Sequence, residues 1–294
     1  MLIAGLVWGL GFVAQETAME DIGPLQFVAM RFSLATLALL PFVLRELRRA
    51  SYALSPGDWW SVISVGIVFF LMMSTQQIGI LGTSVTNAGM LTGLYVVLVP
   101  LINLALFRQL PSWFVWPASI LAFAGIWLLG GGGLDRFTWG DGLIIICAVF
   151  SALQVIMVGR SVGRIGLPFT VATAQFAVSA VLGWVGFLSA RSIDWALEPA
   201  FSQATFISAL PEIAYAALVA GALAFTLQAV AQRYTNPGTA AILLSSEALF
   251  AALGGAVILA ERLDLIGYAG CALLLLAIII TSALSARQDS KNPV

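Results

Sequence analysis

Apolar residues in this chain run in long unbroken stretches, interrupted by short groups of charged, Gly and Pro positions. They neither alternate as on a half-buried strand nor form the narrow stripe of a surface helix. Bounded by those interruptions, the stretches predict spans near residues 2–19, 24–44, 59–81, 84–107 and 113–130, and then near 141–159, 167–190, 206–232, 237–259 and 265–285. About 20 apolar residues cross a bilayer as a helix, so the expectation is an all-α membrane protein of ten transmembrane helices. The third and fourth spans are divided only by Leu81, Gly82, Thr83 and Ser84. Joined, they would form a helix of about 49 residues, far longer than a bilayer holds. A transmembrane β-barrel would instead show short alternating segments.

Composition narrows the chemistry. Of 294 residues, 61% are hydrophobic and 9% charged, and the mean hydropathy is +1.01. Histidine is absent, which removes Ser/His/Asp triads and histidine metal sites. Thirteen basic residues against fourteen acidic ones leave no basic footprint for nucleic acid. Cys147 and Cys271 each lie inside an apolar run, so they read as small buried residues rather than a disulfide, redox or zinc motif. No positive n-region or A-x-A site precedes Glu20, and the first run is expected to stay as a helix.

Alternate loops divide the basic residues unevenly. Arg45, Arg48, Arg49, Arg108, Arg160, Arg164, Arg233, Arg287 and Lys291 fall on one side, whereas Arg136, Arg191 and Arg262 fall on the other. Cytoplasmic loops carry the positive excess, so both termini are expected in the cytoplasm. A shift of 144 lays Pro24, Arg31 and Phe32 over Pro168, Gln175 and Phe176. A shift of 152 lays Ser74, Gln76, Thr83, Ala88 and Leu91 over Thr226, Gln228, Thr235, Ala240 and Leu243. The matches recur in order, which points to two repeats, residues 1–134 (helices 1–5) and 135–294 (helices 6–10 and a short cytoplasmic tail). Five spans per repeat is an odd number, so the halves enter the membrane in opposite orientations, the inverted arrangement of secondary transporters. The run Gly130–Gly133 is expected to end span five and lead to the connection between halves.

Leu6, Val7, Trp8 and Gly9, the stretch Leu227, Gln228, Ala229, Val230, Ala231, Gln232, Arg233, Tyr234, Thr235, and Ala260, Glu261, Arg262, Leu263 with Gly267 resemble EamA-type members of the drug/metabolite transporter superfamily. The resemblance covers nearly the whole chain as two tandem repeats. It implies a ten-helix, 5+5 carrier of the cell (inner) membrane with a central cavity, exporting amino acids or related metabolites. Two positions depart from the family pattern: Glu247 is followed by Ala248 rather than proline, and Gln109 stands where the second repeat keeps Glu261. Without that proline, span nine lacks the usual cause of a kink.

Trp8, Phe12 and Gln15 lie at i, i+4, i+7 in span one, and Phe150, Gln154 and Met157 do so in span six, so each triplet forms one helical face. These faces could line opposite walls of one cavity or pack ordinarily. Gln15 and Gln154 carry the stronger functional signal, because an unpaired amide in hydrocarbon is costly. In spans four and nine, Asn87, Leu91 and Tyr95 correspond to Thr239, Leu243 and Glu247. Glu247 falls near midplane, where a carboxylate costs about 2.5–3.5 kcal/mol on insertion scales, so it should face the protein interior. It is the candidate coupling or amine-binding residue, with a hydrogen-bonded structural acid as the bland reading. Glu16 and Arg31 could pair as an outer gate or snorkel separately to the interface. Gln76 and Gln228 are expected to hydrogen-bond between helices. Gly5 with Gly9, and Gly89 with Gly93, have the spacing that lets helices approach closely.

A phosphate-bearing substrate would need several buried cations, and the spans offer only Arg31. An aromatic, amide-lined cavity with one acid suits amino acids, particularly hydrophobic or aromatic ones. The alternatives are proton-coupled efflux of cationic drugs, through charge and cation–π attraction, or lipid scrambling. An enzyme is not expected, since no nucleophile–base pair or metal cluster is available. The implied partners are the bilayer, a small-molecule substrate and protons; no cofactor is expected, and the chain is expected to act as a monomer.

Overall fold

A computed structural model describes residues 1–9, 11–133, 137–200, 202–250 and 265–291. Secondary structure among the described residues is helical throughout. The first half contains α1 (Leu2–Gly9), α2 (Gly11–Asp21), α3 (Pro24–Arg49), α4 (Pro56–Ile80), α5 (Val85–Thr92), α6 (Tyr95–Phe107) and α7 (Val115–Leu129). The second contains α8 (Trp139–Ile165), α9 (Pro168–Ser192), α10 (Gln203–Ser208), α11 (Leu210–Ala214), a π-helical segment (Tyr215–Leu223), α12 (Ala224–Gln232), α13 (Pro237–Leu244) and α14 (Leu265–Lys291). Seven helices among the described residues are long and apolar enough to cross a membrane, with Val115–Leu129 a shorter eighth.

Local chemistry explains four of the helix starts. Ser55 and Thr138 open α4 and α8 with reciprocal capping boxes to Asp58 and Asp141, satisfying backbone donors that have no intrahelical acceptor. Ser84 and Asn236 cap α5 and α13, which divides spans three and four at the short polar break read from the sequence. Apolar runs understate helix length: α3 continues through Glu46 to Arg49 and α8 continues to Ile165. Backbone hydrogen bonding carries a helix past its apolar part. Gly131 and Gly132 follow α7 with φ of 88° and 74°, and the Gly132 amide donates to the Trp127 carbonyl at 3.0 Å. That left-handed turn is accessible to glycine without steric cost. The expected division between residues 134 and 135 lies outside the described residues.

The most extensive packing joins α3 to α9, α4 to α8 and α7 to α14. Missing side chains permit it. A Cβ on Gly125 would sit 2.8 Å from the Gly270 oxygen, and one on Gly270 2.7 Å from the Gly125 oxygen. A Cβ on Gly183 would approach the Ala29 Cα to 2.9 Å. Of the glycines singled out by spacing, Gly5 packs against Ser246 and Gly93 against Ile126, whereas Gly89 faces open space.

Span nine, where the missing proline left a kink in question, is interrupted at one residue. α13 stops at Leu244, Ser245 is a turn, and residues 246–250 are helical again. The Ser245 hydroxyl donates to the Ile242 carbonyl at 2.7 Å, and the Ser245 carbonyl accepts from the Ala248 amide at 3.1 Å in a tighter local turn. Span four breaks at the matching point, where Gly93 and Leu94 separate α5 from α6. Residues 251–264, including Glu261 and Arg262, lie outside the described residues.

Candidate functional site

The interrupted helices converge on one cavity. Directly after their breaks, Tyr95 begins α6 and Glu247 lies in the resumed helix of span nine, and both line it. Gln15 enters from α2, Arg31 from α3, Met72, Met73 and Gln76 from α4, and Gln154 from α8. Trp8 enters from α1, while Phe225 and Gln228 come from α12. These groups surround a narrow cavity that is partly open to the outside.

Amides form a continuous chain along the wall. Gln228 Nε2 donates to Gln154 Oε1 at 3.1 Å, and Gln154 Nε2 donates to Gln175 Oε1 at 2.9 Å. Gln232 Nε2 donates to the Val155 carbonyl at 2.7 Å. Gln77 Nε2 donates to the Gln15 carbonyl at 3.3 Å. Arg31 is 2% exposed; its Nη1 donates to Gln15 Oε1 at 3.1 Å, and its Nε has no partner among the described residues. Its guanidinium carbon stands 4.7 Å from the Phe32 ring centre and 5.3 Å from that of Phe27. The Tyr95 hydroxyl lies beside the Glu247 carboxyl without closing a direct hydrogen bond.

Rings pack beside the cavity. Phe32 and Phe176 stack at 5.5 Å and 8°, Phe69 lies 4.9 Å from Phe32 and 4.8 Å from Phe225, and Trp8 lies 4.5 Å from Phe225. Trp8 Nε1 donates to the Ala220 carbonyl at 2.8 Å, and the Tyr215 hydroxyl donates to the Val7 carbonyl at 2.9 Å. Both bonds tie α1 to the π-helical segment, whose looser i→i+5 ladder is commonly found at functional sites.

Trp8, Gln15, Tyr95, Gln154, Glu247 and Arg31 thus share the cavity, whereas Asn87 and Phe150 do not line it. The break after Thr92 interrupts the periodicity that put Asn87 and Tyr95 on one face. Asn87 sits in the first turn of α5, its amide donating to the Ser84 hydroxyl at 3.1 Å. Phe150 packs on the aromatic cluster. Phe12 and Glu16 have helical backbone, but their side chains lie outside the described residues, and with them the Glu16–Arg31 gate. Gln76 and Gln228 also face the cavity. Met73 and Phe225 were missed; the 152-residue shift pairs them, as it pairs Gln76 with Gln228. Among the described residues no group of three or more acidic or cysteine side chains could hold a metal ion.

The long apolar helices are those of a multi-pass membrane protein. Its sequence matches the EamA-like transporter family over residues 1–131 and 138–283, and the chain belongs to that family. An uncharacterized transporter of Archaeoglobus fulgidus is 31% identical over 283 residues, covering 96% of this chain and 84% of its own. The uncharacterized transporter YwfM of Bacillus subtilis is 27% identical over 303 residues, covering 99% and 95%. A solved crystal structure shares the fold with a TM-score of 0.77 at 17% identity, over 98% of this chain and 96% of that one. The protein is therefore a multi-pass transporter of the cell membrane.

Proposed function

We propose that the chain exports small zwitterionic metabolites, amino acids with apolar side chains foremost, by alternating access of two inverted five-helix halves. The observation that carries the reading is the presence of one cation, Arg31, and one acid, Glu247, in the same amide- and ring-lined cavity. A carboxylate suits the guanidinium, an ammonium suits Glu247 with Trp8 and Tyr95, and an apolar side chain suits Met72, Met73 and Phe225. An isolated buried cation is costly, so an anionic substrate group is a natural complement for Arg31. Glu247 is also the proposed proton-coupling residue, through exchange of a proton for substrate ammonium.

The ten-span arrangement is supported by the helix pairing. With α1–α2 as span one, α5–α6 as span four, α11 to α12 as span eight and α13 onward as span nine, three spans pack on their own repeat mates. These pairs are α3 with α9, α6 with α13, and α7 with α14. The contact of α4 with α8 is matched by that of α1 with α12, so exchanging the halves leaves the pairing unchanged. This favours repeats meeting near residue 134, and the basic-residue asymmetry favours cytoplasmic termini.

Hydrophobic-cation efflux is the second reading, favoured by Glu247 lying with Trp8 and Tyr95. Radiolabelled phenylalanine counterflow in proteoliposomes distinguishes them. Exchange blocked by other neutral amino acids supports the amino-acid reading. Failure to exchange phenylalanine, with uptake of tetraphenylphosphonium, transfers the site to cations. Lipid movement faster than in protein-free liposomes would favour scrambling.

A further inference from the structure

The two helices that pack most closely across the halves lack caps of their own. Gly23 before α3 and Leu167 before α9 make no side-chain capping hydrogen bond, and each helix begins with proline. The first-turn amides therefore need outside acceptors. Each set finds a carboxylate from the other half. Glu46, near the end of α3, accepts from the Phe169 amide at 3.1 Å and from the Thr170 amide and hydroxyl at 2.7 Å each. Glu198, in the loop after α9, accepts from the Leu25 amide and from the Gln26 amide at 3.4 Å. The 144-residue shift maps Leu25 and Gln26 onto Phe169 and Thr170, so the capped amides are repeat equivalents. Because α3 and α9 run in opposite directions, the two caps lie on opposite faces of the membrane. A Cβ on Gly23 would run into the Glu198 carboxyl, so with any larger residue there that side chain would have to shift.

We propose that Glu46 and Glu198 are reciprocal pins holding α3 to α9 at the two faces, and that Glu198 is a proton-operated pin that loosens the start of α3 when its own face is acidified. Ionised, Glu198 offers charge-assisted acceptors to both amides; protonated, it keeps one good carbonyl acceptor and a poorer hydroxyl. Burial pushes its carboxyl up to about 7, against the lowering effects of the two amides and Arg191. Of the charged groups on this face, Asp21 on α2, Arg191 on α9, Asp194 in the same loop and Glu212 on α11, Arg191 is the one that bears on it; its Nη1 also donates to the Glu198 carbonyl at 3.2 Å. The pin therefore switches near neutrality. The device is independent of substrate identity and concerns the axis about which the halves meet.

Amide hydrogen exchange on the full chain in lipid nanodiscs tests it, with rates expressed as protection relative to an unstructured chain. Between pH 8 and pH 6 the peptide over residues 23–28 should lose about five-fold in protection, the change expected when a charge-assisted bond becomes a neutral one. The peptide over residues 167–172 should not change, and Glu198→Gln should make residues 23–28 insensitive to pH. Meanwhile thermal stability of the native protein should rise over the same acidification, because a buried charge is removed. A purely structural role predicts no such opposition between local protection and global stability. Equal responses of the two peptides, no response at residues 23–28, or a pH response surviving Glu198→Gln would each overturn the proposal. If that variant fails to fold, the two-peptide comparison in the native chain still decides.

Discussion

Replacing Arg31 by methionine is expected to weaken substrate binding without weakening the fold. Arg31 is buried, and the contacts that favour it are one hydrogen bond to Gln15 at 3.1 Å and ring contacts at 4.7 and 5.3 Å. A hydrogen bond to a charged group contributes about 1.5–3 kcal/mol, and a desolvated cation–π contact about 0.5–2 kcal/mol. Against these stands the loss of hydration of a guanidinium, several kcal/mol per ion, with no carboxylate ion-paired to it among the described residues. Methionine fills the space of the stem and removes the charge, so the melting temperature should hold or rise by a few degrees. A substrate carboxylate would lose a charge-assisted contact of about 3 kcal/mol, on the order of 100-fold in Kd. Equilibrium binding of radiolabelled phenylalanine and phenylalaninamide, alongside thermal denaturation, reads both effects. The amide lacks the carboxylate and should bind the native and variant proteins alike. A variant that unfolds several degrees earlier and loses both ligands equally would show that Arg31 supports the structure rather than the substrate.

Glu247→Gln should reduce phenylalanine counterflow by more than about ten-fold, the size of one charged contact, and abolish accumulation driven by a pH gradient. Unchanged rate and pH dependence would remove Glu247 from the mechanism. Glu198 makes a signed prediction for stability: its carboxyl is elevated from 4.5 to about 7, so its contribution is full below pH 4.5 and is lost as pH rises through about 7. The elevation corresponds to at most about 3 kcal/mol, and screening in the loop reduces the expected effect to about 1–2 kcal/mol. Melting curves from pH 5 to pH 8.5 should show this loss in the native protein and not in Glu198→Gln. Gly270→Val would drive a side chain against the α7 backbone, 2.7 Å from the Gly125 oxygen. It should cost about 1–3 kcal/mol of stability, and an unchanged melting temperature would contradict that close crossing.

Long apolar runs made the helices legible in the sequence, because a bilayer selects for length and apolarity and little else. Helix interruptions were less legible. Span nine is interrupted at Ser245 by a local turn, which composition does not reveal. Periodicity assumes an unbroken helix, so it associated Asn87 with Tyr95 across the Gly93–Leu94 break. Glu247 and the glutamines stood out because a polar group in hydrocarbon must face something polar. Arg31 was legible as the lone basic residue within the spans, a gate candidate or a snorkelling anchor, but its Gln15 contact at the cavity depends on how α2 and α3 meet. Glu46 and Glu198 belong to no motif in the sequence. Their signal was relational: two proline-started helices without caps, and one acid in reach of each.

The central claim is that one cavity receives both ends of a zwitterion. It is tested most directly by competition for phenylalanine counterflow in proteoliposomes, using leucine, phenylalaninamide, hydrocinnamate and tetraphenylphosphonium. The account predicts strong inhibition by leucine, which carries both charges, and much weaker inhibition by phenylalaninamide, which lacks the carboxylate, and hydrocinnamate, which lacks the ammonium. Inhibition by phenylalaninamide and tetraphenylphosphonium as strong as that by leucine would contradict it, leaving Glu247 as a cation site and Arg31 outside substrate recognition.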